Sequence, residues 1–522
     1  MSEPTSLRSF LSGHLVAGDG AASDLVNPAT EEVVARASTR GLDLAGALAY
    51  ARTVGGPALR ALTFAQRGEL LKSLSRLLHT HRDELLSLAQ ANGGNTRGDA
   101  KFDVDGGSGT LAAYAELGAS LGDARVMLDG EQLAIGRGAR YAGQHVWTPR
   151  QGVAVHINAF NFPAWGLAEK LACALLAGVP VVSKPATATA HVAARIGELF
   201  AESKLLPDGA FSLLAGPVGN LLDHLVNQDV IAFTGSSDTA QTLRRLPCVI
   251  EGGVRLNVEA DSLNSATLGP DVERGSPTWD LFIADVVREM TQKTGQKCTA
   301  IRRVLVPAAL ADSVVEDLAA RLADVKVGDP AHESVTMGPL ATRAQLAEVK
   351  AGLAELCAEA ETISLGEARA PIGAVAGKGF FQSPVLLHAR DGGGSAIHGR
   401  EVFGPVATAI DYDGSAAGAV ALTARGGGSL VASVYSDDRA FVEEFLIGGA
   451  AHTGRIFVGS AKIAGQATPP GMALPTLLHG GPGRAGGGEE LGGTRGMTLY
   501  QQRTAIHGDK AILDAALKGP RR

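Results

Sequence analysis

One cysteine in the 522-residue sequence stands at a position where covalent chemistry is possible. Cys298 occurs in GQKCTA (295–300), after a segment of helical period and before the strand-like run IRRVLV (301–306). A thiolate at such a boundary is accessible to a substrate and is a strong nucleophile. A single cysteine is nevertheless more often a small buried side chain, as we expect for the other three. The neighbours of Cys298 must therefore decide its role.

Two glutamates upstream of this cysteine are candidates for a general base. Glu251 opens the short sequence EGG (251–253), whereas Glu259 follows the strand-like run RLNV (255–258), which can deliver a carboxylate to a crevice. A carboxylate near the sulfur can activate the water molecule that hydrolyses a thioester. Either glutamate has the right chemistry, and most glutamates are solvated surface groups.

The elements that must position these residues alternate regularly between residues 152 and 258. Runs rich in apolar and β-branched residues are separated by segments of helical period. The predicted strands are GVAVHI (152–157), VPVVSK (179–184), FSLLAG (211–216) and VIAFTG (230–235), and the predicted helices are 166–177, about 189–204, 221–226 and from 238 onwards. This alternation predicts a parallel, doubly wound α/β sheet, which binds ligands beyond the carboxyl ends of its strands.

Three of these strand ends carry residues suited to a cofactor. They are the segment 158–163, Lys184 with its following proline, and the turn Thr234-Gly235-Ser236. The turn lies between a strand and a helix, and a helix N-terminus binds phosphate through its unpaired N–H groups. The 67 glycines of the sequence also favour the close backbone approaches that a dinucleotide site needs.

A second α/β region is predicted from Glu259 onwards. It includes a helix at about 279–292, the strand at 301–306 and a helix at about 309–325. Two further strand-like segments, 140–148 and 497–506, could form a small projecting sheet. The glycine-rich stretch 465–496 is expected to be an ordered loop near a site or an interface.

Length and composition limit the possible classes of protein. A chain of 522 residues suggests two or three domains, and a formal charge of -7 gives little reason to expect nucleic acid or an anionic membrane as partner. The N-terminus lacks a signal-peptide pattern, and the longest apolar run (171–182) is too short to span a bilayer, so we expect a cytoplasmic protein. The widely spaced cysteines argue against a disulfide framework and a structural zinc, and no metal is expected.

Five motifs occur in a fixed order around Cys298. They are NAFNFPAW (158–165), VVSKPA (181–186), FTGSS (233–237), VEADS (258–262) and EVFGPV (401–406). Together they resemble the aldehyde dehydrogenase superfamily, and the similarity extends from about Val26 to Arg503. No single motif would be convincing, but five in register are.

The resemblance implies a fold of three parts. A Rossmann-like parallel-sheet cofactor domain is expected at 1–139 and 159–258, and a second α/β catalytic domain at 259–482. A small β oligomerisation element is expected at 140–158 and 483–522, and with it a homodimer.

The resemblance also implies roles for individual residues. Cys298 matches the family's nucleophile, Asn161 the amide that holds the oxyanion, and Glu259 the general base, because its separation from Cys298 is nearer the family's interval than that of Glu251. Lys184 matches the lysine that binds the adenosine ribose.

Further cofactor roles follow from the same alignment of motifs. Thr234, Gly235 and Ser236 form the turn that faces the pyrophosphate. Glu401 and Phe403 match the pair that positions the nicotinamide ribose and ring.

Three positions depart from the family pattern. Glu259 is followed by Ala-Asp-Ser in place of Leu-Gly-Gly, and Ala240 stands where many relatives have a second glycine. Thr187 stands where NAD-preferring relatives commonly carry a glutamate that holds the ribose 2′-hydroxyl. Without that carboxylate a 2′-phosphate meets no repulsion, so NADP is expected to be accepted and preferred, with NAD possible.

The segments VEADSLN, TGQKCTA and HGGPGRAGGGEELGG are similar to one branch of the superfamily. That branch acts on CoA-thioester semialdehydes formed after aromatic ring opening, which implies 3,4-dehydroadipyl-CoA semialdehyde as substrate. His479 and Arg484 could line the outer substrate tunnel or be structural. A general aldehyde dehydrogenase, a CoA-acylating one and a non-catalytic relative remain alternatives, and the presence of Glu259 counts against the CoA-acylating class.

Overall fold

The computed structural model describes residues 3–364, 370–472, 474–477, 479–487 and 492–518. Two seven-stranded sheets dominate it, and two three-stranded sheets accompany them. The α-helices are numbered here in chain order: α1 (Leu44–Tyr50), α2 (Gly56–Ala61), α3 (Phe64–Thr80), α4 (Arg82–Gly93), α5 (Arg97–Leu121), α6 (Trp165–Ala177), α7 (Ala190–Ser203), α8 (Ser237–Arg244), α9 (Pro247–Ile250), α10 (Pro277–Thr291), α11 (Ala311–Ala323), α12 (Arg343–Cys357), α13 (Ser395–Gly399), α14 (Ala416–Arg425), α15 (Arg439–Gly449), α16 (Gly493–Met497) and α17 (Lys510–Lys518).

The strands, numbered in the same way, are listed here by sheet. The first large sheet has the order β12 (Arg255–Glu259), β11 (Val230–Thr234), β8 (Ala154–Ile157), β9 (Val181–Lys184), β10 (Phe211–Leu213), β2 (Ser9–Leu11) and β3 (His14–Val16). The second has the order β15 (Glu361–Ser364), β16 (Val385–Ala389), β17 (Val406–Tyr412), β14 (Arg303–Pro307), β13 (Ser265–Leu268), β18 (Ser429–Tyr435) and β19 (Thr453–Gly459). The small sheets are β1 (Thr5–Ser6), β5 (Val33–Ala37) and β4 (Ser23–Val26), and β20 (Gln501–Asp509), β7 (Tyr141–Pro149) and β6 (Met127–Ala134).

The first large sheet confirms the predicted parallel, doubly wound arrangement. Strands β8 to β12 pair in parallel, and their apolar residues are buried because helices cover both faces. The register pairs Ile157 with Lys184 and Thr234 with Glu259. The carboxyl ends of four strands therefore meet at one edge, where the predicted site residues follow them.

The second large sheet carries the segment that contains Cys298. Helix α10 begins after Ser276, whose hydroxyl accepts from the Trp279 N–H, and leads through a short 3₁₀ turn towards β14. The helix expected at about 309–325 is confirmed as α11, and its Val314, Leu318 and Leu322 are buried against this sheet. The cysteine thus lies between a helix and a strand, as expected.

The structure places three segments differently from their expected ranges. Strand β8 pairs with β9 and β11, so residues 154–157 belong to the first large sheet and the small sheet uses 141–149 instead of 140–158. Strand β6, placed by the sequence in the cofactor domain, pairs with β7. The helix expected at 221–226 is a 3₁₀ turn at Leu221–His224, followed by an extended residue.

The carboxyl-terminal strand also begins later than predicted. Helix α16 and a 3₁₀ turn at Thr498–Tyr500 precede β20, which starts at Gln501 and not at residue 497. Within the described ranges, no helix has both the length and the hydropathy that a bilayer crossing requires.

Candidate active site

A pocket lies where the strand ends of the first large sheet face the segment that contains Cys298. Its lining includes Asn161, Phe162, Glu259, Cys298 and His479. The structure therefore brings together all three residues that the sequence predicted for the chemistry, and His479 lines the pocket with them, as one of its two expected roles implied.

The turn before Cys298 has an unusual backbone. Lys293 and Thr294 have φ of 54° and 58°, which β-branched and bulky residues rarely adopt, and Gly295 follows with φ of 67°. A Cβ at Gly295 would collide with the carbonyl of Gly404. The backbone therefore bends sharply and brings Cys298 to the pocket.

The side chain of Asn264 holds the backbone of this turn in place through hydrogen bonds. Sequence reasoning did not identify this residue. Its Nδ2 donates to the carbonyls of Cys298 and Ala300, both at 2.8 Å. Its Oδ1 accepts from the Val431 N–H at 2.9 Å and the Ser262 hydroxyl at 2.7 Å. One buried amide thus joins the nucleophile segment to β18 and to the residues after Glu259.

Two arginines place positive charge near the sulfur. Burial lowers the pKa of Arg302 and of Arg455, and negative charge at Cys298 opposes that shift in both. Both guanidinium groups therefore lie close enough to the sulfur for their charges to act on it. The site therefore has the electropositive surroundings that a nucleophilic cysteine needs.

Glu259 and Glu251 lie in very different surroundings. Glu259 ends β12, is only 6% exposed and lines the pocket. One of its carboxylate oxygens lies within 4.8 Å of the Cys298 sulfur. Glu251 is exposed after α9, outside this pocket. Geometry therefore favours Glu259 as the base.

Asn161 follows β8 and is nearly buried. Its Nδ2 donates to the carbonyl of Gln296 at 2.9 Å. An amide nitrogen has two N–H donors, so one more can serve a ligand in the pocket. Gln296 in turn accepts from the Ala341 N–H at 3.0 Å, so the contact of Asn161 rests on a fixed backbone.

A buried charge network, also missed by sequence reasoning, supports the segment that carries Asn161. The carboxylate of Asp103, on α5, accepts from the N–H groups of Trp165 at 2.8 Å and Ala164 at 3.3 Å, where α6 begins. Burial raises the pKa of Asp103, and the charge of Lys293 opposes the rise. The Lys293 ammonium lies 4.4 Å from the centre of the Phe162 ring. Asp103 and Lys293 thus link the Asn161 segment to the turn before Cys298.

The predicted adenosine side of the cofactor site is more open. Lys184 ends β9, and its Nζ lies 3.5 Å from the Thr187 hydroxyl. Burial lowers the pKa of Lys184, which is half-buried. Thr187 begins a 3₁₀ turn and is half-buried beside this lysine.

The predicted phosphate turn begins α8 as expected. The Ser236 hydroxyl accepts from the Thr239 N–H at 3.4 Å, which caps the helix. Asp261, where the family commonly has glycine, accepts from the Ser237 N–H at 3.0 Å. One donor of the helix N-terminus is therefore already used by a carboxylate. Thr234, which precedes this turn, has a buried Oγ1 with no hydrogen-bond partner among the described residues.

Glu401 and Phe403 contact segments that follow two strands of the first large sheet. The Glu401 Oε2 accepts from the Ser262 N–H at 3.1 Å. Its Oε1 lies 3.6 Å from the Arg302 Nε, beyond hydrogen-bond distance, and this buried oxygen has no hydrogen bond within the described part of the chain. Burial raises the pKa of Glu401 to about 7, against the charge of Arg302. Phe403 contacts the Phe160 ring edge to face.

The glycine-rich segment packs near the site, which confirms one of its two expected locations. The carbonyl of Ala485 accepts from the Ala260 N–H at 3.1 Å, directly after Glu259. A Cβ at Gly486 would collide with the carbonyl of Val258, so only glycine allows this approach. The part of the segment at 488–491 lies outside the described residues.

The same segment brings His479 into the pocket. The imidazole is 5% exposed, and its Nδ1 has no hydrogen-bond partner in the described ranges. Burial and the nearby charge of Arg455 lower the pKa of His479 to about 3, so the ring is neutral. Arg455 donates to the carbonyls of Pro470 and Leu477, which shape this part of the loop. Arg484 donates to the Gly399 carbonyl and does not line this pocket, which fits the structural one of its two expected roles.

The similarity of this sequence to known proteins extends over nearly the whole chain. The profile of the aldehyde dehydrogenase family matches residues 15–506. A protein of Aromatoleum evansii named 3,4-dehydroadipyl-CoA semialdehyde dehydrogenase is 46% identical over 478 residues, which are 91% of this chain and 93% of that protein.

Solved structures share the fold. Lactaldehyde dehydrogenase from Escherichia coli has a TM-score of 0.84 at 24% identity, covering 97% of this chain and 100% of that chain. The NAD+ complex of an aldehyde dehydrogenase from Bacillus cereus has a TM-score of 0.83 at 22% identity, covering 97% of each chain. At these identities the structures support the common architecture alone.

Proposed function

The chain belongs to the aldehyde dehydrogenase family, and from this premise we propose that it oxidises an aldehyde to a carboxylic acid through a thioester on Cys298. One observation carries the proposal. The Cys298 sulfur and a Glu259 carboxylate oxygen lie within 4.8 Å of each other, in a pocket that Asn161 also lines. A nucleophile, a base and an amide donor are thereby available to one carbonyl group.

The first chemical step uses the Cys298 thiolate. An aldehyde has no leaving group except hydride, so the thiolate adds to its carbon and forms a tetrahedral thiohemiacetal. The negative oxygen of this adduct accepts from the second N–H of the Asn161 amide and from the Cys298 backbone N–H. In comparable sites such a donor contributes roughly 3 to 4 kcal/mol to transition-state stabilisation.

The second step uses Glu259. Once the thiohemiacetal has been oxidised to a thioester, water must attack the acyl carbon. The Glu259 carboxylate takes a proton from that water, the C–S bond breaks, and the acid leaves while the thiolate is restored. The position of Glu259 beside the sulfur supports this role, and it distinguishes hydrolysis from acyl transfer to an added thiol.

The residues present fit a nicotinamide dinucleotide. The Glu401 Oε1 is a buried acceptor without a hydrogen bond among the described residues, as expected of a group that meets a ribose hydroxyl. Lys184, the Ser236 turn and Phe403 would hold the adenosine ribose, the pyrophosphate and the nicotinamide ring. When bound, this cofactor supplies the hydride acceptor. Thr187 puts no carboxylate beside Lys184, which supports a preference for NADP over NAD.

The substrate class follows from the relative in sequence. The 46% identity over nearly the whole chain, together with the VEADSLN and glycine-rich segments, supports a CoA-linked semialdehyde and specifically 3,4-dehydroadipyl-CoA semialdehyde. We also propose a cytoplasmic location and a homodimer built on the sheet of β6, β7 and β20. Leu133 and Tyr141 of that sheet and Ile512 beyond it are exposed, and such apolar side chains are commonly covered in an assembly.

A matrix of substrates and cofactors tests this proposal. Free aliphatic and aromatic aldehydes would be compared with the CoA-linked semialdehyde, each with NADP and with NAD. We expect the CoA-linked substrate with NADP to give a kcat/KM at least about tenfold above any other pair, which is about 1.4 kcal/mol. Equal efficiency for a free aldehyde would contradict the substrate, and a clear NAD preference would contradict the cofactor.

The identity of the product distinguishes hydrolysis of the Cys298 thioester from transfer of its acyl group to CoA. Without added free CoA, we expect the carboxylic acid to accumulate in step with the reduced cofactor. If turnover instead requires added CoA and gives an acyl-CoA at the oxidised carbon, the enzyme is CoA-acylating and hydrolysis by Glu259 is wrong.

A further inference from the structure

Three side chains that could bind a metal ion lie together in the pocket, and one of them has no role in the oxidation of an aldehyde. One donor atom each from Glu259, Cys298 and His479 all lie within 4.8 Å of one another. Cys298 and Glu259 have roles in the proposed reaction, but His479 has none. His479 is only 5% exposed, and its Nδ1 lacks a hydrogen-bond partner among the described residues.

The three donors are the types that zinc prefers. Thiolate, imidazole and carboxylate bind Zn²⁺ at about 2.3, 2.0 to 2.1 and 2.0 to 2.2 Å, usually with tetrahedral geometry. Donors at those distances lie about 3.4 to 3.6 Å apart. A contraction of the cluster by about 1 Å would therefore suffice for an ion at its centre. Rotation of the Cys298 side chain can supply part of this contraction. A shift of His479 can supply the rest, because His479 lies on a loop rich in glycine.

We propose that Glu259, Cys298 and His479 reversibly bind one Zn²⁺ ion and that this ion inhibits the enzyme. The Cys298 thiol releases its proton to solvent as the sulfur coordinates the metal, and no oxidation or reduction takes place. Three protein ligands leave a fourth position for water from the pocket. The bound sulfur cannot add to an aldehyde, and the bound carboxylate cannot activate water, so zinc and turnover exclude each other.

The charges of the site set both the affinity and the selectivity. A thiolate and a carboxylate offset the two positive charges of the ion, whereas Arg302 and Arg455 near the sulfur oppose a cation. Binding should consequently be reversible by a chelator. Mg²⁺ and Ca²⁺ prefer oxygen ligands and would gain little from a sulfur and an imidazole, so neither should compete with zinc.

Spectroscopy with Co²⁺ tests the site without any turnover. The full-length protein is treated with a chelator, desalted under reducing conditions and titrated with Co²⁺, then with Zn²⁺. We expect one equivalent to produce a thiolate-to-metal charge-transfer band that Zn²⁺ abolishes. Cys298→Ser should lose the band, and His479→Phe should weaken Co²⁺ affinity at least about tenfold, as should His479→Gln, which keeps a polar side chain of similar reach.

Matched controls separate this site from other surface groups. Cys357→Ser and His332→Phe replace an exposed cysteine and an exposed histidine and should bind Co²⁺ like the unmodified chain. Circular dichroism checks that each variant is folded. Unchanged affinity in both folded His479 variants, or no charge-transfer band in the unmodified chain, would overturn the proposal. Because the readout is binding, it stands or fails separately from the proposed aldehyde oxidation.

Discussion

The nucleophile side and the adenosine side of the pocket are built in different ways. Cys298 lies on a turn held by buried bonds from distant segments, above all by Asn264 and by Asp99, which accepts from the Lys293 N–H at 3.0 Å. Thr187 and Ser236 stand at the ends of elements, half-buried or exposed, with few bonds beyond their own turns. A substitution on the first side should therefore change the rate, whereas one on the second should change which cofactor is preferred.

Glu259→Gln should show the largest effect on the nucleophile side. The amide cannot take a proton from water, so we expect steady-state turnover to fall about 10² to 10⁴-fold while a first burst of reduced cofactor survives. Stopped-flow absorbance measures both phases. Glu251→Gln is the matched control, because this exposed glutamate lies outside the pocket and its loss should leave both phases unchanged. Normal steady-state turnover in Glu259→Gln would show that another group is the base.

Asn161→Ala should lower the rate of the burst itself. It removes an N–H donor for the thiohemiacetal oxygen, so we expect a loss of about 10² to 10³-fold in that phase with little change in cofactor affinity. Asn158→Ala is the control from the same segment, since Asn158 donates to the Ser183 hydroxyl and does not line the pocket. A similar loss in both variants would mean that the segment, and not the Asn161 amide, matters.

Thr187→Glu should change preference on the adenosine side without affecting the chemistry. The new carboxylate repels a 2′-phosphate and can accept from a 2′-hydroxyl, so kcat/KM with NADP should fall at least about tenfold relative to NAD. Thr187→Val removes the hydroxyl without adding charge and should leave the ratio nearly unchanged. If the ratio does not move in Thr187→Glu, residue 187 does not approach the ribose.

The pH dependence of cofactor binding should be the smallest of these effects. The raised pKa of Glu401, about 7, means that its carboxyl group is neutral below that pH and a full acceptor above it. The KM for the cofactor should accordingly fall roughly threefold as the pH rises through 7, a gain typical of one hydrogen bond. Glu401→Gln should have a flat profile, and an unchanged slope in that variant would assign the titration to another group.

Linkage gives the same carboxyl group an effect on stability. Its folded-state pKa is raised, so the folded protein keeps a proton that the unfolded chain has already released between about pH 4.5 and 7. The stability contributed by Glu401 therefore decreases as the pH rises across that window and is lowest above pH 7. Glu401→Gln should remove this part of the pH dependence of thermal unfolding.

The sequence predicts local features better than long-range contacts. The alternation of strands and helices identifies the parallel sheet, and the residues after β8, β9 and β11 meet because parallel strand ends share an edge. The expected range 140–158 of the small β element runs past β7 and includes β8, although 152–157 was itself predicted as a strand of the parallel sheet. The two strands are neighbours in the chain, but their hydrogen bonds go to different sheets. Pairing between distant segments has no local signature.

The residues that support the site also depend on contacts between distant segments, which the sequence did not predict. Asp103 caps a helix that begins some 60 positions later, and Asn264 becomes a clamp only when β18 lies beside it. His479 enters the pocket on a loop whose glycines suggest a close approach but not its target. The sequence made His479 one candidate to line the substrate tunnel, but it did not predict that its imidazole lies close to Glu259 and Cys298.

The most direct test of the account is to find the acyl group itself. Glu259→Gln would be mixed with aldehyde and oxidised cofactor, quenched in acid and digested for mass spectrometry. We expect the peptide containing Cys298 to gain the mass of the acyl group, in an amount equal to the burst of reduced cofactor. A full burst with an unmodified Cys298 peptide, or an acyl group on another residue, would contradict covalent catalysis by Cys298.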